Sequence, residues 1–323
     1  MTSTDIYQDN RTDDLILPFQ IGPFGLRGRS VRLGAVVDEV IRRHGYPEPV
    51  NRLLAETITL AGCLAGALKY DGIFTLQAKG AGPVRTVVAD VTSAGDVRAY
   101  AGFDADMIAA AKAVADDGNA SVPGLLGEGY LAFTVDQGQH TERYQGIVAF
   151  EGETLTDCAR AYFRESEQIE AGLHLATTAP RNGGGWRAAA MMVQRLPFEG
   201  GESVPKDITL EDYEDGWRRA MVMMASAKAS ELLDPSLPAD RLLYRLFHED
   251  GVRAYPSQAL QPGCRCSAEK VENVLVSLVP AELSELLIDG HAEVTCEFCK
   301  SDYRYSEKEI ARMRSERQMA KSS

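Results

Sequence analysis

The sequence predicts an α+β protein with a large N-terminal domain of mainly antiparallel sheet and packed helices, then a helical linker, then a small C-terminal four-cysteine domain. Three observations carry this. Between Leu15 and Leu196 short alternating strands come in runs and helices in blocks, unlike the regular β–α alternation of a doubly wound sheet. Phe198 to Lys206 is rich in Gly, Pro and polar residues, which marks a break in composition. Beyond it, four of the six cysteines stand in two tight pairs, Cys264-Arg265-Cys266 and Cys296-Glu297-Phe298-Cys299, twenty-nine residues apart. The expected domains are 1–197, 198–253 and 254–323.

Along the chain, alternation between glycine-marked turns predicts strands at Leu15–Gln20, Phe74–Ala78, Val84–Asp90, Val97–Ala101, Tyr130–Val135 and Tyr144–Phe150. Helices are expected at Ala35–His44, Pro49–Lys69, Met107–Ala115 and Leu155–Glu167, with Pro47 and Pro49 suited to a helix start. Thr209 with Asp212 reads as a capping box, opening a helix that carries Leu210, Tyr213, Trp217, Met221 and Met224 on one face. Asp234-Pro235 and Pro238 break that pattern before a short amphipathic helix around Leu242, Leu243, Leu246 and Phe247. Neither helix has sequence neighbours enough to cover its apolar face, so each must dock elsewhere. A Met-rich stripe suits both a core face and an adaptable binding surface.

In the last segment a helix is expected from Ser267 toward Leu278, and another from Pro280 to a C-cap at Gly290. His291–Cys296 and Tyr303–Tyr305 read as a hairpin around the second cysteine pair, and Ser306 with Glu309 caps a terminal helix. A domain of roughly 60 residues buries little core, and domains that small often need a metal or a disulfide to fold. Thiolates are soft ligands, and two short loops can deliver two sulfurs each to one tetrahedral ion, so Cys264, Cys266, Cys296 and Cys299 are the expected ligands of one zinc per chain. His291 is then surplus and is expected at the surface or beside the ligands. Arg265 and Lys300 either offset the charge of four thiolates or are simply solvated. Oxidation turns two anionic ligands into a neutral, poorly ligating group, so the pairs are a zinc staple or a redox switch, and the spacing alone leaves both open. Cys63 and Cys158 fall in helical patterns and read as buried, inert thiols.

Composition narrows the function classes. With 323 residues, 45% hydrophobic and 25% charged, the chain is an ordinary globular protein. A net charge of −13 and a pI near 5.0 oppose nucleic-acid binding, and the locally basic stretch Arg304 to Lys321 reads as a solvated helix face. Thr4 to Asp14 is polar and acidic, so no secretory signal is expected, and the longest apolar run, Ile58 to Leu68, falls short of the roughly 20 residues that span a bilayer. A cytoplasmic protein without a membrane partner is the expectation. Gly80-Ala81-Gly82-Pro83 and Gly183-Gly184-Gly185 lack a P-loop lysine or a dinucleotide fingerprint and read as turns. No GxSxG, HExxH or triad pattern is present, so no catalytic residue is expected. Two other readings remain: a CxxC thiol-disulfide oxidoreductase, which needs a thioredoxin-like βαβ context, and a zinc-ribbon binding module, which needs a basic face.

The two cysteine pairs, CRCS and CEFC, resemble those of the heat-shock protein 33 family of redox-regulated chaperonins. GRSVRL at Gly28–Leu33, TLQAKGAGPV at Thr75–Val84, RAYAG at Arg98–Gly102, YQGIV at Tyr144–Val148 and SEQIEAGLHL at Ser166–Leu175 are similar to its recurring segments, so the resemblance runs over nearly the whole chain. The acidic N-terminus and GGGWRAAAMMVQ at Gly183–Gln194 depart from the family pattern. The resemblance implies an ATP-independent holdase, not an enzyme, inactive when reduced and zinc-bound. It implies that oxidative stress pairs Cys264 with Cys266 and Cys296 with Cys299, releases zinc, unfolds the C-terminal domain and linker, and favours an active homodimer. The implied partners are unfolding client proteins and, downstream, ATP-dependent foldase chaperones.

Overall fold

The computed structural model describes residues 12–111, 113–115, 118–138, 143–180, 183–198 and 208–321. The composition break at 198–206 lies outside these residues except for Phe198, as does most of the acidic N-terminus. The fold class is the expected α+β, and the chain divides into two compact units, one up to Pro262 and one from Gly263.

The first unit opens with a hairpin, β1 (Leu15–Ile21) and β2 (Leu26–Leu33), followed by α1 (Ala35–His44) and α2 (Glu48–Ala67). A meander of β3 (Ile73–Gly80), β4 (Val84–Thr92) and β5 (Asp96–Phe103) comes next, then the short helices α3 (Ala105–Ile108) and α4 (Val122–Leu125). After β6 (Gly129–Asp136) and β7 (Tyr144–Ala149), α5 (Leu155–Tyr162) runs on through a π turn, Phe163–Glu167, into the pair β8 (Glu170–Thr178) and β9 (Arg187–Arg195). Three helices follow, α6 (Leu210–Ser226), α7 (Ala229–Leu232) and α8 (Ala239–Phe247), and then the short strands β10 (Val252–Ala254), β11 (Gln258–Ala259) and β12 (Gln261–Pro262).

These strands form two sheets where the alternation pattern suggested one. The first runs β10-β1-β2-β9-β8 with β11 also on β1; the second runs β12-β5-β4-β3-β6-β7, antiparallel except for the β12–β5 pair. Of the strands not expected, β2, β8 and β9 make the middle and one edge of the first sheet, and the short β10, β11 and β12 add to the edges of both sheets. In β9 every residue from Ala188 to Val193 is buried, so both faces are apolar and the period-two signal is erased. The helix expected at Met107–Ala115 ends at Ile108: Val114 bridges to Ala120, whose N–H reaches the buried Glu56 carboxylate of α2 at 2.8 Å, and this tertiary pairing overrides alanine's helix preference.

Helix α2 is apolar on nearly all sides because both sheets pack on it. Its Leu54, Ile58 and Leu60 share one core with Val31 and Met192 of the first sheet and Leu76 and Val87 of the second. The opposite face of the first sheet carries Leu15, Leu17, Phe19 and Ile21, alternating with the inward Ile16 as a strand with two buried faces requires. Helices α6 to α8 cover that face through Ala220, Met224, Leu242, Leu243, Leu246 and Phe247, so the amphipathic helices dock on the large unit. The expected capping box is present, with Thr209 Oγ1 accepting from Asp212 N at 3.1 Å, but Leu210 is 58% exposed and lies off the buried face.

One backbone position fixes this docking. Phe19 and Gly28 are directly opposed in the β1–β2 register, and the Phe19 ring lies over the glycine and stacks on Phe247 of α8 at 6.1 Å between centroids. A Cβ on Gly28 would come within 2.0 Å of that ring, so the glycine is what lets Phe19 lie flat and face α8. Gly28→Ala should therefore cost about 1–3 kcal/mol through overpacking, read as a lowered midpoint in urea unfolding. An unchanged midpoint would mean the ring moves aside freely.

The second unit holds α9 (Ala268–Ser277), α10 (Pro280–Leu286), β13 (Leu287–Ile288), β14 (His291–Thr295), β15 (Asp302–Ser306) and α11 (Glu307–Lys321). Its three strands form an antiparallel sheet in the order β13-β14-β15. The expected caps at Ser267 and Ser306 are in place. Gly290 does not cap a helix: α10 gives way to β13, and Asp289 and Gly290, at φ +51° and +75°, turn the chain into β14. The core here is small, with Leu275, Leu283, Ala292 and Ile310 buried among the described residues.

Candidate metal centre

The four cysteines meet in the second unit. Cys264 and Cys266 lie in the extended stretch between β12 and α9, and Cys296 and Cys299 lie in the turn between β14 and β15. That turn is closed by Cys296 N donating to Ser301 O and Lys300 N donating to Cys296 O, each at 2.9 Å, with Lys300 at φ +58°. The Thr295–Asp302 pair at the base of the hairpin sets where the turn begins. All four Sγ atoms lie within 4.8 Å of one another, with Cys264 to Cys296 at 3.7 Å and Cys266 to Cys299 at 3.3 Å. A tetrahedron of roughly 2.3 Å metal–sulfur bonds has edges of about 3.8 Å, so the thiols are placed to hold one metal ion. Both of these contacts run between different sequence pairs, so an ion here would tie one loop to the other.

Two side chains not singled out from the sequence complete the centre. The Tyr303 hydroxyl donates to Cys266 Sγ at 3.2 Å, and the Ser301 hydroxyl lies 3.2 Å from Cys299 Sγ. Burial and the neighbouring thiols push Cys266 up to about 12 against the Tyr303 hydrogen bond, and burial also raises Cys296. Cys299 goes the other way: burial opposes ionisation, but Ser301, through hydroxyl and backbone, and the Cys266 and Cys264 thiols hold it near 6. Tyr303 is itself raised to about 12, because its proton is engaged on Cys266. One sulfur is thus readily anionic, and a bound cation would displace the remaining protons. Neither Tyr303 nor Ser301 carries a motif; their only signal is position, within a few residues of Cys299 on the returning strand.

His291 stands apart from the cluster, its Nδ1 3.0 Å from Asp289 O. Lys300 pairs with Glu297 at 3.7 Å. Cys63 and Cys158 are buried in α2 and α5, and burial drives their thiols to about 12 and 11, which leaves them protonated and unreactive. The pairs Cys296–Cys299 and Cys264–Cys266 sit beside a three-stranded antiparallel sheet, which is not the βαβ setting of a thioredoxin-like enzyme.

A family model described as Hsp33 protein matches residues 14–306. The chain belongs to the Hsp33 family. Curated relatives carry the name 33 kDa chaperonin: that of Caulobacter vibrioides is 39% identical over 305 residues, covering 93% of this chain and 98% of its own. That of Pseudomonas aeruginosa is 36% identical over 292 residues, covering 89% and 90%. The crystal structure of the 33 kDa chaperonin (heat shock protein 33 homolog) of Thermotoga maritima superposes with a TM-score of 0.76 at 23% identity, covering 94% of this chain and 99% of that one, so the fold is shared. Membership of the Hsp33 family supports a chaperone function. Among the described residues, no helix is long and apolar enough to cross a membrane.

Because the Tyr303 hydroxyl donates to a sulfur of the candidate site, Tyr303→Phe should weaken metal binding by about tenfold or more, read by competition with a chromogenic chelator. Cobalt(II) added to the reduced protein should bind one per chain with the absorption of a tetrahedral four-sulfur site. Unaltered affinity in the variant would show that the hydroxyl plays no part.

Proposed function

We propose that this chain is a redox-regulated, ATP-independent holdase whose reduced form holds one zinc through Cys264, Cys266, Cys296 and Cys299. The observation that carries the reading is the crossed arrangement of four free thiols in a unit with so small a core. Bound zinc would supply about 10–16 kcal/mol of apparent binding free energy, far above the roughly 1.5–3 kcal/mol from each buried large apolar side chain there.

Oxidation acts on the sulfurs themselves. Each pair, Cys264 with Cys266 and Cys296 with Cys299, gives two electrons to one hydrogen peroxide, forming one disulfide and two waters from two thiols. Both disulfides then lie within loops, whereas the Cys264–Cys296 and Cys266–Cys299 contacts of the reduced cluster run across loops. Ligands are removed, zinc leaves, and the two new bonds restrain only very short loops. Unfolding of 254–323 then reaches 198–253 along the chain. From Gly251 to Pro262 the backbone is pinned to the large unit: Tyr255 N donates to Pro18 O, Leu260 N to Asp14 O and Gln261 N to Gly95 O, at 2.8 to 3.0 Å. Cys264 follows this stretch directly.

In this reading 1–197 is the chaperone core and 198–253 is a metastable cover. Release of α6 to α8 bares the apolar face of the first sheet, which holds unfolding clients until ATP-dependent foldases take them. The active species is a homodimer and the compartment is the cytoplasm. The relatives' chaperonin names support a binding protein over an enzyme.

Peroxide with mild heat should release one zinc per chain, followed with a zinc-sensitive dye, while light scattering shows suppression of client aggregation rising in step. Zinc loss without a gain in suppression would refute the switch. The Cys296–Cys299 disulfide should form before Cys264–Cys266, since a two-residue spacer closes with less strain than one residue; time-resolved mass mapping checks this.

A further inference from the structure

The turn that joins α7 to α8 is gripped by two arginines of the first sheet. Arg32 of β2 is 2% exposed, and its guanidinium donates to the carbonyl oxygens of Asp234 and Leu237. Arg187, at the start of β9, donates through Nε to Leu233 O at 2.8 Å. The Asp13 carboxylate joins the two: Arg187 Nη2 donates to both of its oxygens at 2.8 Å, and Arg32 Nε lies 3.5 Å away. One buried and one partly exposed guanidinium thus lie beside an apolar sheet face, with one carboxylate between them and three backbone carbonyls of the covering segment opposite.

Such burial is costly unless every donor is matched, and part of the matching here is supplied by the segment that docks. The other contacts that α7 and α8 make with the sheet are apolar, while α6 is held separately near its start by Glu214 paired with Arg195 and by the Tyr213 hydroxyl donating to Leu196 O; the methionines and alanines of the cover pack in more than one way. Three directed hydrogen bonds allow one register. We infer that Arg32, Arg187 and Asp13 form a polar latch that holds the 229–247 segment in a single docked position and sets how readily it leaves the sheet. The latch rests on the proposed switch for its use, since it regulates the cover that the switch releases. Its geometry lies wholly within the first unit. When the segment lifts, the guanidiniums exchange three carbonyls for water and the last polar hold on the turn is lost in one step.

Hydrogen exchange on the full-length, reduced, zinc-loaded protein tests this. Arg187→Met should speed exchange of amides in 229–247 at least tenfold, while amides of α2 between Val50 and Leu64 keep wild-type protection. Asp13→Asn, which keeps both guanidiniums and removes only the shared carboxylate, should act in the same direction. If Arg187→Met also loses protection in α2, the fold rather than the latch has failed, and Asp13→Asn alone decides. Wild-type exchange in 229–247 for Asp13→Asn, or for a folded Arg187→Met, overturns the latch. Zinc release and aggregation suppression measured on the wild type in parallel separate the two ideas. A wild type that loses zinc without gaining suppression refutes the switch, whereas faster exchange in the variants still stands for the latch.

Discussion

The second unit has a small core, and its main constraint is the place where two loops bring four sulfurs together. The Cys264–Cys266 stretch and the Cys296–Cys299 turn meet sulfur to sulfur across the loops rather than within them, so whatever joins the four sulfurs joins the ends of the unit. Leu275, Leu283, Ala292 and Ile310 alone give α9, α10, the small sheet and α11 little reason to stay together. An ion at the centre acts where the apolar core is weakest. Bonds formed inside each pair use the same atoms and provide none of that joining, which makes the chemistry of the sulfurs decisive for the unit and not merely an addition to it.

The first unit is built on the opposite principle. Its inner core spans two sheets and α2, and no single contact carries it. On the outer face of the first sheet the arrangement is more conditional. Helices α6 to α8 bring a cover that depends on Phe19 lying flat over Gly28 to meet Phe247, and on a turn whose carbonyls answer buried arginines. Covering and covered surfaces each need the other, unlike α2, which is enclosed from both sides.

What the sequence made legible follows from these differences. Cysteine spacing pointed to the four-sulfur cluster because ligand chemistry is local: two short loops name all four sulfurs. Strands β3 and β5 could be read because their residues alternate between a buried and a wetter face, and α6 and α8 because of their amphipathic periods. Strands β8 and β9 could not, since a strand buried on both faces, with Ala188 to Met192 reading AAAMM, has the composition of a helix. Met107–Ala115 misled for the converse reason: an alanine-rich stretch is drawn into a bridge by Glu56, half a domain away in sequence. Tyr303 could not be distinguished from any strand tyrosine. Arg32 and Arg187 pair with residues up to 205 positions distant, which no local pattern encodes.

The chemistry of the covered face bears on why one surface could serve both a resident helix and unrelated clients. Facing α6, the first sheet offers Met191, Val193, Ala176, Ala189 and the bare backbone of Gly172, where a Cβ would meet Met221 Sδ at 2.3 Å. Small residues make a shallow floor, and methionines on both sides fill it without demanding one shape. A floor of that kind binds apolar side chains by area rather than by fit, so it discriminates poorly among sequences. Poor discrimination suits a holdase but would leave the resident helix free to slide. The directed hydrogen bonds at the α7–α8 turn, with the Arg195–Glu214 pair and the Tyr213 hydroxyl on Leu196 O near the start of α6, supply the register that the apolar face lacks. Adaptable apolar contact and fixed polar contact therefore sit at different places on the cover, and under the proposed function the first would serve clients while the second serves only the chain's own cover.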